Sequence, residues 1–311
     1  MGLSDFLYRQ KQKLRYHLAG DDVTKRIAEI NRFELIVDVH RDSYRINKLK
    51  LGLPKGLFDF IFAGSTFDLF IYNAEILSGN YHVRDSELYF EFKGMEVCIT
   101  SGSELFIIRE IFIDHCYHFV LTEDAKAIVI DVGMNVGLAS LYFASRPDVD
   151  KVYSFEPFCP TFNTGLKNFR LNHLISEKIF PECFGLGIHS EIRQVKYKFE
   201  NKGINTSLVD SDRIDSSHFE RIVLEPAVTI IGNICSNHTN QQVVIKIDTE
   251  GAEYAIFESL MQIALPENIK VIMVEWHING PEIIEKFLVR QGFKLLSLSL
   301  TKITGIVYAF R

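Results

Sequence analysis

Four residues near the ends of two apolar runs carry the clearest chemistry in this sequence. Asp248 and Glu250 follow Val243-Val244-Ile245-Lys246-Ile247, and Glu275 and His277 follow Val271-Ile272-Met273-Val274. Members of each pair stand two apart, so they share a face wherever the backbone stays extended. Such a set can take the proton from a hydroxyl as its oxygen becomes a nucleophile. His277 is the leading base, because an imidazole with its ordinary pKa of about 6.5 is already partly neutral near pH 7. Asp248 or Glu250 could serve instead. These acids with His277 could also hold a divalent cation, since two oxygens and an imidazole suit several metals. No spacing compels one, and the expectation is a site without a resident metal. Glu253 would cap or orient the helix that opens there, where negative charge is favourable.

A second set of residues points to a nucleotide-like cofactor. The run Ile128-Val129-Ile130-Asp131-Val132-Gly133-Met134-Asn135-Val136-Gly137-Leu138 reads as strand, Gly-containing turn and helix start. In a doubly wound sheet that turn lies at the crevice outside the carboxyl ends of the strands. Gly133 and Gly137 would let the backbone approach a ligand, and Asn135 adds a side-chain amide. The next apolar run ends at Glu156, whose carboxylate can accept hydrogen bonds from both hydroxyls of a ribose. A dinucleotide site wants Gly at the middle position of G-x-G-x-x-G, where the pyrophosphate passes. Asn135 would crowd a diphosphate there, which favours S-adenosylmethionine, a cofactor with a ribose and no phosphate. Asp131 would then orient its amino group through water, and Phe184 would stack on the adenine or fill the core.

Short apolar runs at 127–131, 152–156, 243–248 and 271–275 alternate with helical segments. That pattern describes parallel strands buried on both faces. Segments 293–300 and 303–310 are joined by Thr301 and Lys302 alone, and so short a link demands antiparallel pairing. Upstream, Phe67, Phe70, Ile71 and Ala74 have helical spacing within 65–77. Leu88, Phe90 and Phe92, then Gly94, then Met95, Val97 and Ile99 read as a hairpin. Leu3, Phe6, Leu7, Leu14 and Leu18 form one face of an amphipathic, basic N-terminal helix, whose role is packing or weak peripheral membrane contact.

Five ordered blocks together resemble the FkbM family of S-adenosylmethionine-dependent methyltransferases: Asp131 to Gly137, Phe155-Glu156-Pro157, Asn168 to Asn172, Lys246 to Glu253, and Glu275-Trp276-His277. Glu110-Ile111-Phe112 and Tyr117 also resemble the approach to that family's core. The resemblance implies an α/β class I (Rossmann-like) methyltransferase fold, doubly wound and mostly parallel with an antiparallel C-terminal hairpin. It also implies O-methylation of a sugar, glycan, glycolipid or secondary metabolite. The expected division is an N-terminal α+β, mainly helical, extension over 1–85 and a methyltransferase domain over 86–311. The other readings are a nicotinamide-dependent oxidoreductase, disfavoured by Asn135, and a binding module that kept the fold without turnover.

Composition narrows the classes further. The 311 residues are 47% hydrophobic and 24% charged, inside the globular range and far from disorder or a collagen-like repeat. Lys and Arg number 34 against 40 Asp and Glu, net −6, which argues against a dedicated nucleic-acid binder. Five widely spaced cysteines without a C-x-x-C pattern read as reduced thiols. With no signal peptide or spanning run in view, the expected compartment is the cytoplasm, the partner a small-molecule, glycan or glycolipid acceptor, and a homo-oligomer is compatible. The triplets at Asn205 and Asn237 are then chance matches to a glycosylation signal.

Overall fold

The computed structural model describes residues 22–32, 36–121, 126–196 and 219–311. The amphipathic helix expected over 3–18 and the triplet at Asn205 lie outside them. The chain forms two compact units, residues 1–114 and 115–311. Among the described residues no helix is long and apolar enough to cross a membrane.

The first unit begins with α1 (Asp22–Ile30) and a three-stranded antiparallel sheet, β1 (Val37–Val39), β2 (Ser43–Ile46) and β3 (Leu51–Pro54). Helix α2 (Thr66–Ile76) buries Phe67, Phe70 and Ala74 of the stripe its spacing predicts, and Ile71 is half-buried. The hairpin is β5 (Glu87–Phe92) with β6 (Met95–Ile99), pairing Leu88 with Ile99, Phe90 with Val97 and Phe92 with Met95. Strand β4 (Asn80–Arg84) adds to its edge. A boundary at 85/86 would therefore cut the turn between two paired strands, and the compact unit instead runs on through α3 (Gly102–Phe112). A capping box between Ser101 and Glu104 starts that helix.

The second unit is built on a seven-stranded sheet. Its strands are β7 (Ala127–Val132), β8 (Val149–Phe155), β9 (Ile179–Glu182), β13 (Gln242–Ile247), β14 (Ile269–His277), β15 (Lys294–Ser299) and β16 (Thr304–Phe310), in the order β15-β16-β14-β13-β7-β8-β9. A smaller sheet, β10 (Gly185–Gly187), β12 (Phe219–Pro226) and β11 (Glu191–Lys196), lies outside it. Counted by appearance the large sheet reads 6-7-5-4-1-2-3, and β16 alone runs against its neighbours. The helices are α4 (Leu138–Ser145), α5 (Cys159–Leu171), α6 (His173–Ser176), α7 (Ala227–Asn237), α8 (Glu253–Leu260) and α9 (Glu282–Arg290). All six residues of β7 are buried, as a central parallel strand covered on both faces requires. Ile128, Ile130 and Val132 point into a core shared with Ile245, Ile247, Val274 and Phe257. Asp131 faces the opposite side. Strand order reverses at β7 and β13, and there a doubly wound sheet opens its crevice at the carboxyl ends.

Candidate active site

The turn after β7 is shaped by backbone crossings. Gly133 has φ +85°, and a Cβ there would sit 1.8 Å from the carbonyl oxygen of Asp248. Gly137 has φ +82°, and its Cβ would meet the Phe169 ring at 2.6 Å. Both glycines are thus required by the protein's own packing. Asn135, at φ +54°, turns its backbone N–H to Glu156 Oε2 at 2.9 Å. Its side-chain Oδ1 is buried with no hydrogen-bond partner, an acceptor suited to a ligand donor.

Glu156 stands just past the end of β8, 5% exposed. Its second oxygen accepts from the Phe158 N–H at 3.0 Å. Burial pushes its carboxyl up to about 7, against the pull of the two backbone donors and Lys246. Phe184 is half-buried and packs against Phe155, ring centroids 5.3 Å apart, so one of its sides belongs to the core. Cys159 Sγ and Cys183 Sγ lie 2.7 Å apart. Cys159 is exposed, unlike the buried Cys98 and Cys235.

Asp131 has a structural partner that lies far away in the sequence. It is fully buried, its Oδ1 3.1 Å from Lys246 Nζ and its Oδ2 accepting from Ser140 Oγ at 2.6 Å. Both of its oxygens are engaged inside the protein, one by Lys246 and one by Ser140. Lys246, also buried, donates to the Gly133 carbonyl at 2.8 Å and lies 3.7 Å from Asp248. Burial alone would lower the ammonium's pKa, but Asp131 and Asp248 together raise it. Sequence reasoning gave Lys246 no role. The available signal was a single cation inside an apolar strand run, which must find a buried partner; here the partner is its register neighbour, Asp131.

Beyond Lys246 the acids gather. Asp248 Oδ2 accepts from the Tyr117 hydroxyl at 2.9 Å, and Glu275 Oε2 lies 3.4 Å from the same hydroxyl. Glu250 sits at φ +53°, so it approaches Asp248 through a turn and not through the expected strand alternation. His277 is 7% exposed. Its Nδ1 lies 3.1 Å from Glu253 Oε1, and its Nε2 lies 3.5 Å from Glu250 Oε2 and 3.8 Å from Glu275 Oε1. Glu253, fully buried, also accepts from the Thr249 N–H and hydroxyl and from the Gly251 N–H. It therefore holds the 248–253 loop and the imidazole together, beyond the capping role expected. Burial lowers the His277 pKa, but Glu253, Glu250 and Asp248 outweigh it and raise the imidazole to about 9. The neutral imidazole that recommended His277 as base is not met in this arrangement.

A strand order of 6-7-5-4-1-2-3 with β16 reversed, and acids lining its carboxyl edge, define the class I methyltransferase architecture. Residues 131–295 match the methyltransferase FkbM domain. The chain belongs to that family, which separates it from the nicotinamide enzymes weighed above. It is 32% identical over 108 residues to Methyltransferase sdnD of Sordaria araneosa, covering 35% of this chain and 40% of the relative. It is 28% identical over 169 residues to Methyltransferase 1 of Beauveria bassiana, covering 50% of this chain and 66% of the relative. The match thus spans less than two thirds of either relative. The crystal structure of Methyltransferase FkbM from Methylobacillus flagellatus KT superposes with a TM-score of 0.40 at 15% identity, covering 62% of this chain and 45% of that one.

Proposed function

We propose that this chain is an S-adenosylmethionine-dependent O-methyltransferase acting on a hydroxyl of a sugar, glycan, glycolipid or secondary metabolite. The observation that carries this reading is the contact of two loops at the carboxyl edge of one sheet. The turn bearing Asn135 and facing Glu156 abuts the loop bearing Asp248 and Glu250, backbone against backbone at Gly133. The residues fit the cofactor: Glu156 presents a carboxylate to a ribose, and the unpartnered Asn135 Oδ1 is an acceptor for a donor group. When bound, S-adenosylmethionine supplies an electrophilic methyl on a positively charged sulfur. The chain's own part is to hold an acceptor hydroxyl against Asp248, Glu250, Glu275 and His277. The cluster receives the hydroxyl proton as the new O–C bond forms.

Titration calorimetry with S-adenosylhomocysteine tests the cofactor half. Ribose hydroxyls donate to an ionised carboxylate, and the Glu156 carboxyl is raised to about 7. Affinity is therefore expected to be about tenfold weaker at pH 6 than at pH 8. Glu156→Gln is expected to bind weakly and without that pH dependence. A variant that binds as tightly as the parent removes Glu156 from the site. For the acceptor, mass spectrometry of glycans, lipids and small metabolites from cells with and without the protein identifies the molecule that loses one methylene.

A further inference from the structure

We propose that Asp248, Glu250 and His277 form a binding site for one divalent cation of the magnesium or manganese class. One ligand atom from each, carboxylate oxygens from the two acids and a ring nitrogen from His277, lie within 4.8 Å of one another. An octahedral cation with bonds of about 2.1 Å sets neighbouring donors about 3.0 Å apart and opposite donors about 4.2 Å apart. The observed Nε2 to Glu250 separation of 3.5 Å falls inside that range.

A second, independent observation comes from the imidazole. Its side chain is 9% exposed, and Nδ1 is anchored on Glu253, itself fully buried and held by three further donors. Nε2 makes no hydrogen bond and faces Glu250 and Glu275 at 3.5 and 3.8 Å, too far for one; a cation bound there takes the place of the Nε2 proton, which is released. A carboxylate behind one ring nitrogen, with the other ring nitrogen turned toward oxygen donors, is the outer arrangement that fixes metal-ligating histidines.

Charge points the same way. Asp248, Glu250, Glu253 and Glu275 surround one imidazole, and the other cation nearby, Lys246, pairs with Asp131 at 3.1 Å and reaches Asp248 only at 3.7 Å. Packing four acids in a half-buried space calls for positive charge. Two carboxylates and one imidazole leave octahedral positions open, and an acceptor hydroxyl could fill one of them. There a cation would draw electron density from the acceptor oxygen and ease loss of its proton. That role for the cation rests on the methyltransferase reading; its binding does not.

The test titrates Mn²⁺ by calorimetry into the full chain, with and without S-adenosylhomocysteine. That ligand lacks the sulfonium charge and so does not compete as a cation. The expected result is one Mn²⁺ per chain, with affinity at least tenfold weaker in both Glu250→Gln and His277→Ala while S-adenosylhomocysteine binding is unchanged. Retained cofactor-product binding shows that each variant is folded. Absence of saturable Mn²⁺ binding by the parent chain overturns the site, as does binding undiminished in both variants. Mn²⁺ binding by a chain that takes no S-adenosylhomocysteine would support the site and count against the methyltransferase reading.

Discussion

Lys246→Met is expected to destabilise the 115–311 unit by about 3 to 5 kcal/mol, read as a fall in Tm of roughly 6 to 20 °C for a unit of this size. The cause lies in what remains behind. Asp131 has no exposure, and without the ammonium 3.1 Å away only Ser140 is left to satisfy its carboxylate. The Gly133 carbonyl loses its donor as well. Because the penalty comes from the orphaned charge, Lys246→Met/Asp131→Leu is expected to recover most of the loss. Circular dichroism melts of the parent, the single and the double variant check this. An unchanged Tm in the single variant would mean that Asp131 and Lys246 do not form a buried pair.

His277→Ala is expected to reduce turnover by roughly 100-fold or more, the scale of losing acid–base catalysis, because the imidazole beside Glu250 and Glu275 holds the acids that take the hydroxyl proton. Binding of S-adenosylhomocysteine should be preserved, since Glu156 and Asn135 belong to the turn after β7 and the end of β8 and make no contact with the imidazole. The measurement is formation of S-adenosylhomocysteine with a cell extract as the acceptor pool, paired with calorimetry on the same variant. A parent-like rate eliminates His277 from the reaction. Glu253→Gln separates holding from reacting, because its buried side chain reaches the chemistry only through His277 Nδ1 and the loop amides. A rate that falls with the imidazole still present would assign Glu253 to positioning.

The sheet and the site were legible to different depths. Fully apolar runs ending in polar residues located β7, β8, β13 and β14, and the carboxyl edge followed from where each run stopped. The C-terminal hairpin followed from a link too short for any crossover. What escaped depended on neighbours far away in sequence. Asp131 reads as a cofactor residue until β7 and β13 are set in register, which pairs it with Lys246. Gly133 reads as a ligand-facing glycine until the Asp248 carbonyl is found against it. The imidazole's protonation depends on Glu253, which lies on a helix and not on its own strand. Strand β12 was missed because only Ile222 and Leu224 of its run are buried, too sparse an alternation to stand out among Glu220, Arg221 and Glu225.

Where a side chain separates two loops, substitutions can widen or narrow the gap by a methylene at a time. At Gly133 main chain rests on main chain, with the Asp248 carbonyl against its Cα, and Lys246 ties the Gly133 carbonyl itself. In a methyltransferase this would make the spacing of the two loops a property of the backbone, out of reach of side-chain substitutions in either loop. Redesign for a larger or smaller acceptor would have to leave both loops untouched and work from the surrounding walls.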